Sequence, residues 1–206
     1  EFYQKSLAIR LKKLGADHPD VATSYNNIGE VHRKKGEYDK ALEYYQKSLA
    51  IKLKQLGADH PSVATSYNNI GLVHQAKREY DKALENFQKA LAIQHKQLGP
   101  GHPSVALSYN NIGVVHRAKG EYDKALEYYQ KALAILLKQL GPGHTHVAIS
   151  YNNIGSVHQA KGEYDKALEN HQKSLAIKLK QLGPGHPSVA TSYNNIGLVH
   201  QAKREY

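Results

Sequence analysis

SYNNIG, which spans residues 24–29, returns without a change at residues 66–71, 108–113, 150–155 and 192–197. Each copy begins 42 residues after the previous one, as from Ser24 to Ser66. A fixed period of this length indicates a repeat array, in which one small unit cannot bury its own apolar face and must stack on its neighbours. We therefore interpret residues 1–206 as a single array.

The period divides the chain into four full repeats between two partial ones. The full repeats are predicted at residues 18–59, 60–101, 102–143 and 144–185. Residues 1–17 correspond to the second half of a unit, and residues 186–206 correspond to the first half. These two halves complement each other, which predicts head-to-tail association of chains. The residues of the apolar stripes expected to be uncovered at the two ends are Tyr3, Leu7, Leu11, Leu14, Tyr193, Ile196 and His200.

Each unit is predicted to contain two amphipathic helices, as the repeat at residues 102–143 illustrates. Pro103 suits a first helical turn, and helix A is expected to end near Gly120. Its apolar stripe follows at spacings of four, three and four residues: Val105, Tyr109, Ile112 and His116. Asp123 is the expected cap of helix B. The predicted buried stripe of helix B contains Leu126, Tyr129, Leu133, Leu137 and Leu140.

The unit resembles the tetratricopeptide repeat (TPR), on the pattern Tyr109, Ile112, Gly113, Gly120, Tyr122, Ala125, Tyr129 and Ala132. The long period and the LGPGHP segment after helix B resemble the kinesin light chain variety more specifically. The resemblance implies an all-α fold, a right-handed superhelical α-solenoid of stacked two-helix repeats. The chain departs from the family pattern in the turn after helix A, where Arg78 and Arg204 replace glycine.

The asparagine pair in each SYNNIG segment is the main candidate for binding. On a helix, Thr23, Asn27 and Glu30 lie opposite the apolar stripe, so Asn27 points away from the core. The resemblance implies that helix A lines a concave groove and that the Asn27 position holds the backbone of a bound peptide. An amide suits this role because it donates and accepts hydrogen bonds. The predicted ladder comprises Asn27, Asn69, Asn111, Asn153 and Asn195.

Two alternatives remain open for these positions. The first asparagine of each pair, such as Asn26, could bond to the neighbouring helix in the stack instead. The copies also differ on the flank of the predicted groove, at Arg33, Gln75, Arg117 and Gln159. The arginines predict a mild preference for acidic segments, although drift on an unconstrained surface would produce the same variation.

The formal net charge of +10 suggests a nucleic-acid-binding solenoid as an alternative function. The excess is spread evenly along the repeats, and the tyrosines at the Tyr25 position lie on the apolar stripe, where they cannot stack on bases. We therefore expect a protein- or peptide-binding scaffold. A spacer that only stacks on copies of itself is the other alternative.

Neither catalysis nor a cofactor is expected. The recurrent histidines at the His116 position fall on the apolar stripe, where they would act as core residues with one satisfied nitrogen. Those at the His102 position come directly before helix A, where they would act as caps or pack in the loop. His144 and His146 alone have a spacing that could share a metal, and two ligands make a weak case. The absence of cysteine and of an apolar N-terminal run predicts a cytoplasmic protein without a membrane span.

Overall fold

The computed structural model describes residues 1–204, which form ten α-helices and no strand. The all-α repeat array predicted from the sequence is confirmed. Helix A of successive repeats is α2 (Pro19–Lys34), α4 (Pro61–Ala76), α6 (Pro103–Ala118), α8 (Thr145–Ala160) and α10 (Pro187–Arg204). Helix B is α1 (Phe2–Leu14), α3 (Tyr38–Leu56), α5 (Tyr80–Leu98), α7 (Tyr122–Leu140) and α9 (Tyr164–Leu182).

The helices form two compact units, of which the first is Glu1–Pro100 and the second begins at Gly101. The first unit contains α1 to α5, and the second contains α6 to α10. In both units the two helices of a repeat pack on each other, and helix B also packs on helix A of the following repeat, as α3 does on α4 and α7 on α8. Helices α3 and α7 are therefore each covered on two sides. No helix in the described part of the chain is long and apolar enough to cross a bilayer.

A histidine caps the start of each helix A, as predicted. His18 accepts a hydrogen bond at Nδ1 from the backbone N–H of Asp20, at 3.1 Å. His60, His102, His144 and His186 make the same bond to the residue two positions later. This bond satisfies one of the backbone donors that a helix leaves unpaired at its first turn.

The predicted cap of helix B is wrong. Helix α7 begins at Tyr122, and the residue before it, Glu121, makes no side-chain capping bond. Asp123 lies in the first turn, where its Oδ1 accepts a hydrogen bond from Lys161 Nζ of the next repeat at 2.6 Å. The carboxylate of Glu121 instead contacts His116 Nδ1 at 2.8 Å, so the histidine on helix A fixes the turn into helix B.

The same histidine–glutamate pair joins helix A to helix B in four repeats. It links His32 to Glu37, His74 to Glu79, His116 to Glu121 and His158 to Glu163. The prediction of core histidines with one satisfied nitrogen is therefore confirmed for these four, although His32 and His158 are half-buried. His200 lies on the apolar stripe of α10, but it is also among the residues expected to be uncovered at this end of the array, and it is exposed.

The buried face of helix B differs from the predicted leucine stripe. In α7 the fully buried residues are Ala125, Tyr129, Ala132 and Leu136. The predicted leucines flank this row, half-buried, and pack against its edges: Leu126, Leu133, Leu137 and Leu140. The buried row of α7 therefore combines two small residues with two large ones and is shifted from the leucine stripe.

The glycine of SYNNIG allows helix A to approach an aromatic ring of helix B. A Cβ added at Gly113 would lie 2.7 Å from Cε1 of Tyr129, closer than real Cβ atoms approach their neighbours. Gly29 stands in the same relation to Tyr45, and Gly71 to Phe87. The recurring glycine therefore has a packing role in the repeat.

The turn between the two helices requires a left-handed residue. Glycine supplies it at Gly36, Gly120 and Gly162, with φ between 75° and 78°. At the equivalent position Arg78 adopts φ 62°, a conformation that costs a residue with a Cβ about 1–2 kcal/mol. Arginine thus replaces the family glycine at this position without a change in the turn.

Apolar side chains on the outer helices of the array are exposed, as predicted for Tyr3, Leu14 and Tyr193. Leu7 and Leu11, predicted to be uncovered as well, instead pack against Val21 and Ala22 of α2. Head-to-tail association through these faces stays a prediction, which sedimentation velocity at rising protein concentration would test.

We expect Gly113→Ala to lower the free energy of unfolding by about 1–3 kcal/mol, since the added methyl group must displace the buried Tyr129 ring. Gly197→Ala is the matched control, because no atom lies within 4 Å of that position in α10. There the substitution should be neutral or raise stability by up to about 1 kcal/mol through helix propensity. Urea denaturation of both variants measures the difference, and equal midpoints would contradict the packing role.

Candidate functional site

The helix A surface comprises the side chains that helix A directs away from the core. In α2 these are Thr23, Asn27, Glu30 and Lys34, none of which is fully buried. The position of Thr23 is occupied by leucine in α6 and by isoleucine in α8, and there Leu107 and Ile149 are 44% and 46% exposed. The surface therefore alternates amides with a few accessible apolar side chains.

The two asparagines of each SYNNIG segment take different roles in the stack. Asn69 donates a hydrogen bond from Nδ2 to Oδ1 of Asn26 in the preceding repeat, at 3.0 Å. In the second unit Asn195 donates in the same way to Asn152, at 2.9 Å. Each of these bonds joins neighbouring helices A through the first asparagine of one repeat and the second asparagine of the next. For the first asparagine this is the structural alternative left open by the sequence.

The amide of Asn110 is also used within the second unit. It is buried, and its Nδ2 donates to Oγ of Ser150 on α8 at 3.4 Å. Its Oδ1 has no partner within the described residues. The first asparagine of this repeat therefore also bonds within the stack, which agrees with the structural alternative for these positions.

The second asparagines retain hydrogen-bonding capacity at the surface. Asn27 and Asn153 are half-buried and make no side-chain hydrogen bond within residues 1–204. Asn69 and Asn195 each donate one side-chain N–H to the preceding repeat, and their carbonyl oxygens can still accept a hydrogen bond from another partner. Asn111 is half-buried and also forms an interaction. The binding role of the five asparagines stays a prediction.

Arg33 is already paired with a carboxylate of its own helix. Its Nε and Nη2 donate to the two oxygens of Glu30, at 2.9 and 2.7 Å, and the hydroxyl of Tyr45 donates to Glu30 Oε2 at 2.8 Å. The arginine bond, with help from Tyr45, holds the pKa of Glu30 at about 2. This pairing within α2 neutralises the charge by which Arg33 was expected to favour acidic partners.

The other predicted positions on this flank are Gln75, Arg117 and Gln159, all half-buried. Gln75 has a buried Oε1 without a partner in the described chain. Arg117 makes no hydrogen bond or ion pair with any residue between 1 and 204. Arg33 and Arg117 occupy the same position in two repeats, but only Arg33 is paired with a carboxylate.

One lysine in each full repeat is neutralised by a glutamate one turn earlier on helix B. Lys47, Lys89, Lys131 and Lys173 each pair with the residue four positions before them. Three of these lysines also lie over a tyrosine of helix A, as Lys47 Nζ does at 5.9 Å from the ring centre of Tyr25. Those tyrosine faces are thereby covered, which removes the stacking platform that single-stranded nucleic acid needs.

Sequence reasoning missed the ion pairs that connect successive repeats. Lys77 Nζ binds Asp39 Oδ1 at 2.8 Å, and Lys161 binds Asp123 at 2.6 Å. Lys54 pairs with Asp17 and Lys96 with Asp59 in the loops before helix A. The partners are 37 or 38 residues apart along the chain, so these pairs can be predicted only when the way in which the repeats stack is known.

His144 and His146 do not form a metal site with other ligands. Their rings stack at 5.0 Å, and Nδ1 of His144 accepts the backbone N–H of His146. Within residues 1–204 no group of three or more potential ligands is close enough to hold a metal ion.

Comparison with known families identifies the repeat. The sequence model of one family, described as the tetratricopeptide repeat, matches residues 1–54, 27–94, 62–138 and 146–206. No curated protein matches the chain.

Several solved structures share the fold. BtubC (BKLC) from P. vanneervenii superposes with a TM-score of 0.81 at 21% identity, over 98% of this chain and 80% of its own. A candidate kinesin light chain of Podosopora anserina with nearly identical TPR-like repeats has a TM-score of 0.76 at 28% identity, over 91% and 89% of the two chains. A single-substitution variant of that protein has a TM-score of 0.77 at 26% identity, with the same coverage.

We expect Asn26→Ala and Asn69→Ala each to lower the free energy of unfolding by about 0.5–1.5 kcal/mol, because each removes one side of the inter-repeat hydrogen bond. The double variant should be less destabilised than the sum of the two, which a double-mutant cycle in urea measures. Asn27→Ala, at a position without such a bond, should stay within about 0.5 kcal/mol of the parent. Strict additivity of the pair would show that the bond does not form.

Proposed function

The chain belongs to the tetratricopeptide repeat family, and we propose that it is a protein- or peptide-binding scaffold whose binding surface is the helix A surface. Proteins of this family are generally interaction scaffolds without catalytic activity. The observation that carries the proposal is the row of asparagine side chains on helix A that keep hydrogen-bonding groups after the stack has formed, above all Asn27 and Asn153.

These amides suit recognition of a backbone. A peptide group presents one N–H and one C=O, and a single asparagine side chain can pair with both whatever the side chains of the peptide are. Affinity would then come from repeated amide contacts at the spacing of the repeats. The exposed Leu107 and Ile149 would add contacts to apolar side chains of the partner.

A preference for acidic segments is a further part of the proposal. The net charge of +10 favours encounter with acidic partners. On the helix A surface the contribution of Arg33 is weakened by Glu30, so Arg117 is the stronger source of this preference. Cytoplasmic location fits the lack of cysteine and remains part of the proposal.

We expect a peptide-display selection on this chain to enrich peptides whose affinity falls by roughly 1 kcal/mol, or about fivefold, on Asn153→Ala. Stability should stay within about 0.5 kcal/mol of the parent, because Asn153 makes no side-chain hydrogen bond inside the described array. Gln172→Ala, on the exposed side of helix α9, is the control and should leave affinity unchanged. Isothermal titration calorimetry measures the binding.

Other outcomes of this experiment favour the rival functions. Peptides that bind Asn153→Ala and the parent equally would contradict the amide clamp. Displacement of the peptide by a single-stranded oligonucleotide, with a steep linear dependence of log affinity on log salt, would support nucleic-acid binding. A selection that enriches nothing would favour the passive spacer.

A further inference from the structure

The first full repeat shows how this chain binds a carboxylate. The two carboxylate oxygens of Glu30 accept from Nε and Nη2 of Arg33, which is the two-bond geometry that guanidinium groups form with carboxylates. The hydroxyl of Tyr45, on helix α3, donates a third bond to the same carboxylate. Helix A thus supplies the acid and the arginine, and helix B supplies the hydroxyl.

The third full repeat has the same arginine and tyrosine without the acid. Arg117 and Tyr129 stand where Arg33 and Tyr45 stand, and Val114 replaces Glu30. The two tyrosine rings are placed alike. A Cβ added at Gly29 would lie within 3 Å of the Tyr45 ring, and a Cβ added at Gly113 would lie within 3 Å of the Tyr129 ring. The geometry of the carboxylate site is therefore retained in a repeat that lacks the carboxylate.

Both donors of this second site lack an acceptor. The Tyr129 side chain is fully buried, and its hydroxyl has no hydrogen-bond partner in the described chain, an arrangement that ordinarily lowers stability. Arg117 is half-buried and has no carboxylate partner within residues 1–204. Burial raises the pKa of Tyr129 to about 12, and the charge of Arg117 opposes this rise, as expected for a guanidinium near the hydroxyl.

The remaining repeats show that the array does not need this pair for folding. In the second full repeat the three positions hold Leu72, Gln75 and Phe87, and Phe87 packs against Gly71 as the tyrosines do against their glycines. In the fourth they hold Ser156, Gln159 and His171. Arginine and tyrosine occur together in the repeat that has the acid and in the repeat where valine replaces it.

We propose that Arg117 and Tyr129 form a binding site for the side-chain carboxylate of a glutamate in a partner protein, and that Glu30 occupies the equivalent site of the first repeat from within. The proposal rests on the scaffold function and names one contact of it. The guanidinium receives the carboxylate from solvent in the two-bond arrangement seen at Arg33, and the Tyr129 hydroxyl donates to one of the two oxygens. Val114, which packs against the cluster that contains Tyr129, supplies no carboxylate, so the acceptor for both donors has to come from a partner.

The test uses acetyl-Gly-Glu-Gly-amide as the probe and the guanidinium Nε–Hε signal of Arg117 as the readout in a ¹⁵N NMR titration. The signal is assigned by its loss in Arg117→Gln, a substitution that the second and fourth full repeats already contain at this position. We expect a saturable shift with the glutamate peptide and at least roughly tenfold weaker binding of acetyl-Gly-Gln-Gly-amide, because the neutral amide cannot form the charge-assisted pair. Acetyl-Gly-Gly-Gly with a free carboxylate distinguishes a C-terminal carboxylate from a side chain, and binding of that peptide in preference to the glutamate peptide would overturn the assignment.

Two reciprocal variants make the test decisive. Val114→Glu supplies the carboxylate internally and should abolish the response of Arg117 to the peptide. Glu30→Val removes the internal acid of the first site and should produce a new response at Arg33. An unaltered Arg117 response in Val114→Glu, or equal shifts with the glutamate and glutamine peptides, would overturn the proposal.

Tyr129→Phe separates binding from folding. Phe87 shows that the ring alone packs in this position, so the variant should be at least as stable as the parent, because it loses an unpaired buried hydroxyl. It should bind the glutamate peptide at least about threefold more weakly, as expected for the loss of one hydrogen bond. A variant that binds unchanged would remove Tyr129 from the site.

The results also separate this site from the general scaffold function. Selected peptides that depend on Asn153 but leave the Arg117 signal unmoved would refute the carboxylate site alone. A response of Arg117 to the glutamate peptide, with no peptide enriched by selection, would support the site and count against the scaffold.

Discussion

The contact between a glycine of helix A and an aromatic ring of helix B is the constraint on which the repeat depends. At Gly113 any Cβ would overlap the ring of Tyr129, so the two helices can pack at this distance only if the side chain is absent. The close approach buries the ring and brings its hydroxyl beside helix A. In the first full repeat the equivalent hydroxyl, that of Tyr45, donates to Glu30, so that helix B contributes to the helix A surface.

Sequence periodicity is sufficient for the fold and for the helix A caps, because both depend on local spacing. It fails where the answer depends on how closely helices approach. Hydrophobicity ranks the leucines of helix B above Ala125 and Ala132, yet the alanines are fully buried and those leucines are half-buried. Asp123 is the expected cap because aspartate is a common capping residue. The contact between the Glu121 carboxylate and His116 cannot be predicted from residue type, because it depends on the conformation of the turn between the helices.

The candidate site shows the same division. The spacing of Glu30 and Arg33 along the helix makes an ion pair foreseeable. The hydrogen bond from the Tyr45 hydroxyl to Glu30 cannot be foreseen, since Tyr45 lies on another helix and the packing of its ring against Gly29 decides where the hydroxyl points. Likewise, the sequence places Asn27 away from the core but cannot show that Asn69 donates to Asn26, because their relation exists only between stacked repeats.

The acid, the arginine and the tyrosine of the first site all lie within one 42-residue unit, between Glu30 and Tyr45. Recombination that exchanges whole units between copies of the gene would carry the three residues together and leave each site as it was, with its internal acid or without it. A crossover in the turn between helix A and helix B would instead combine the arginine of one copy with Phe87 or His171 of another. The position of a crossover therefore decides whether a duplication keeps the three residues together or separates them.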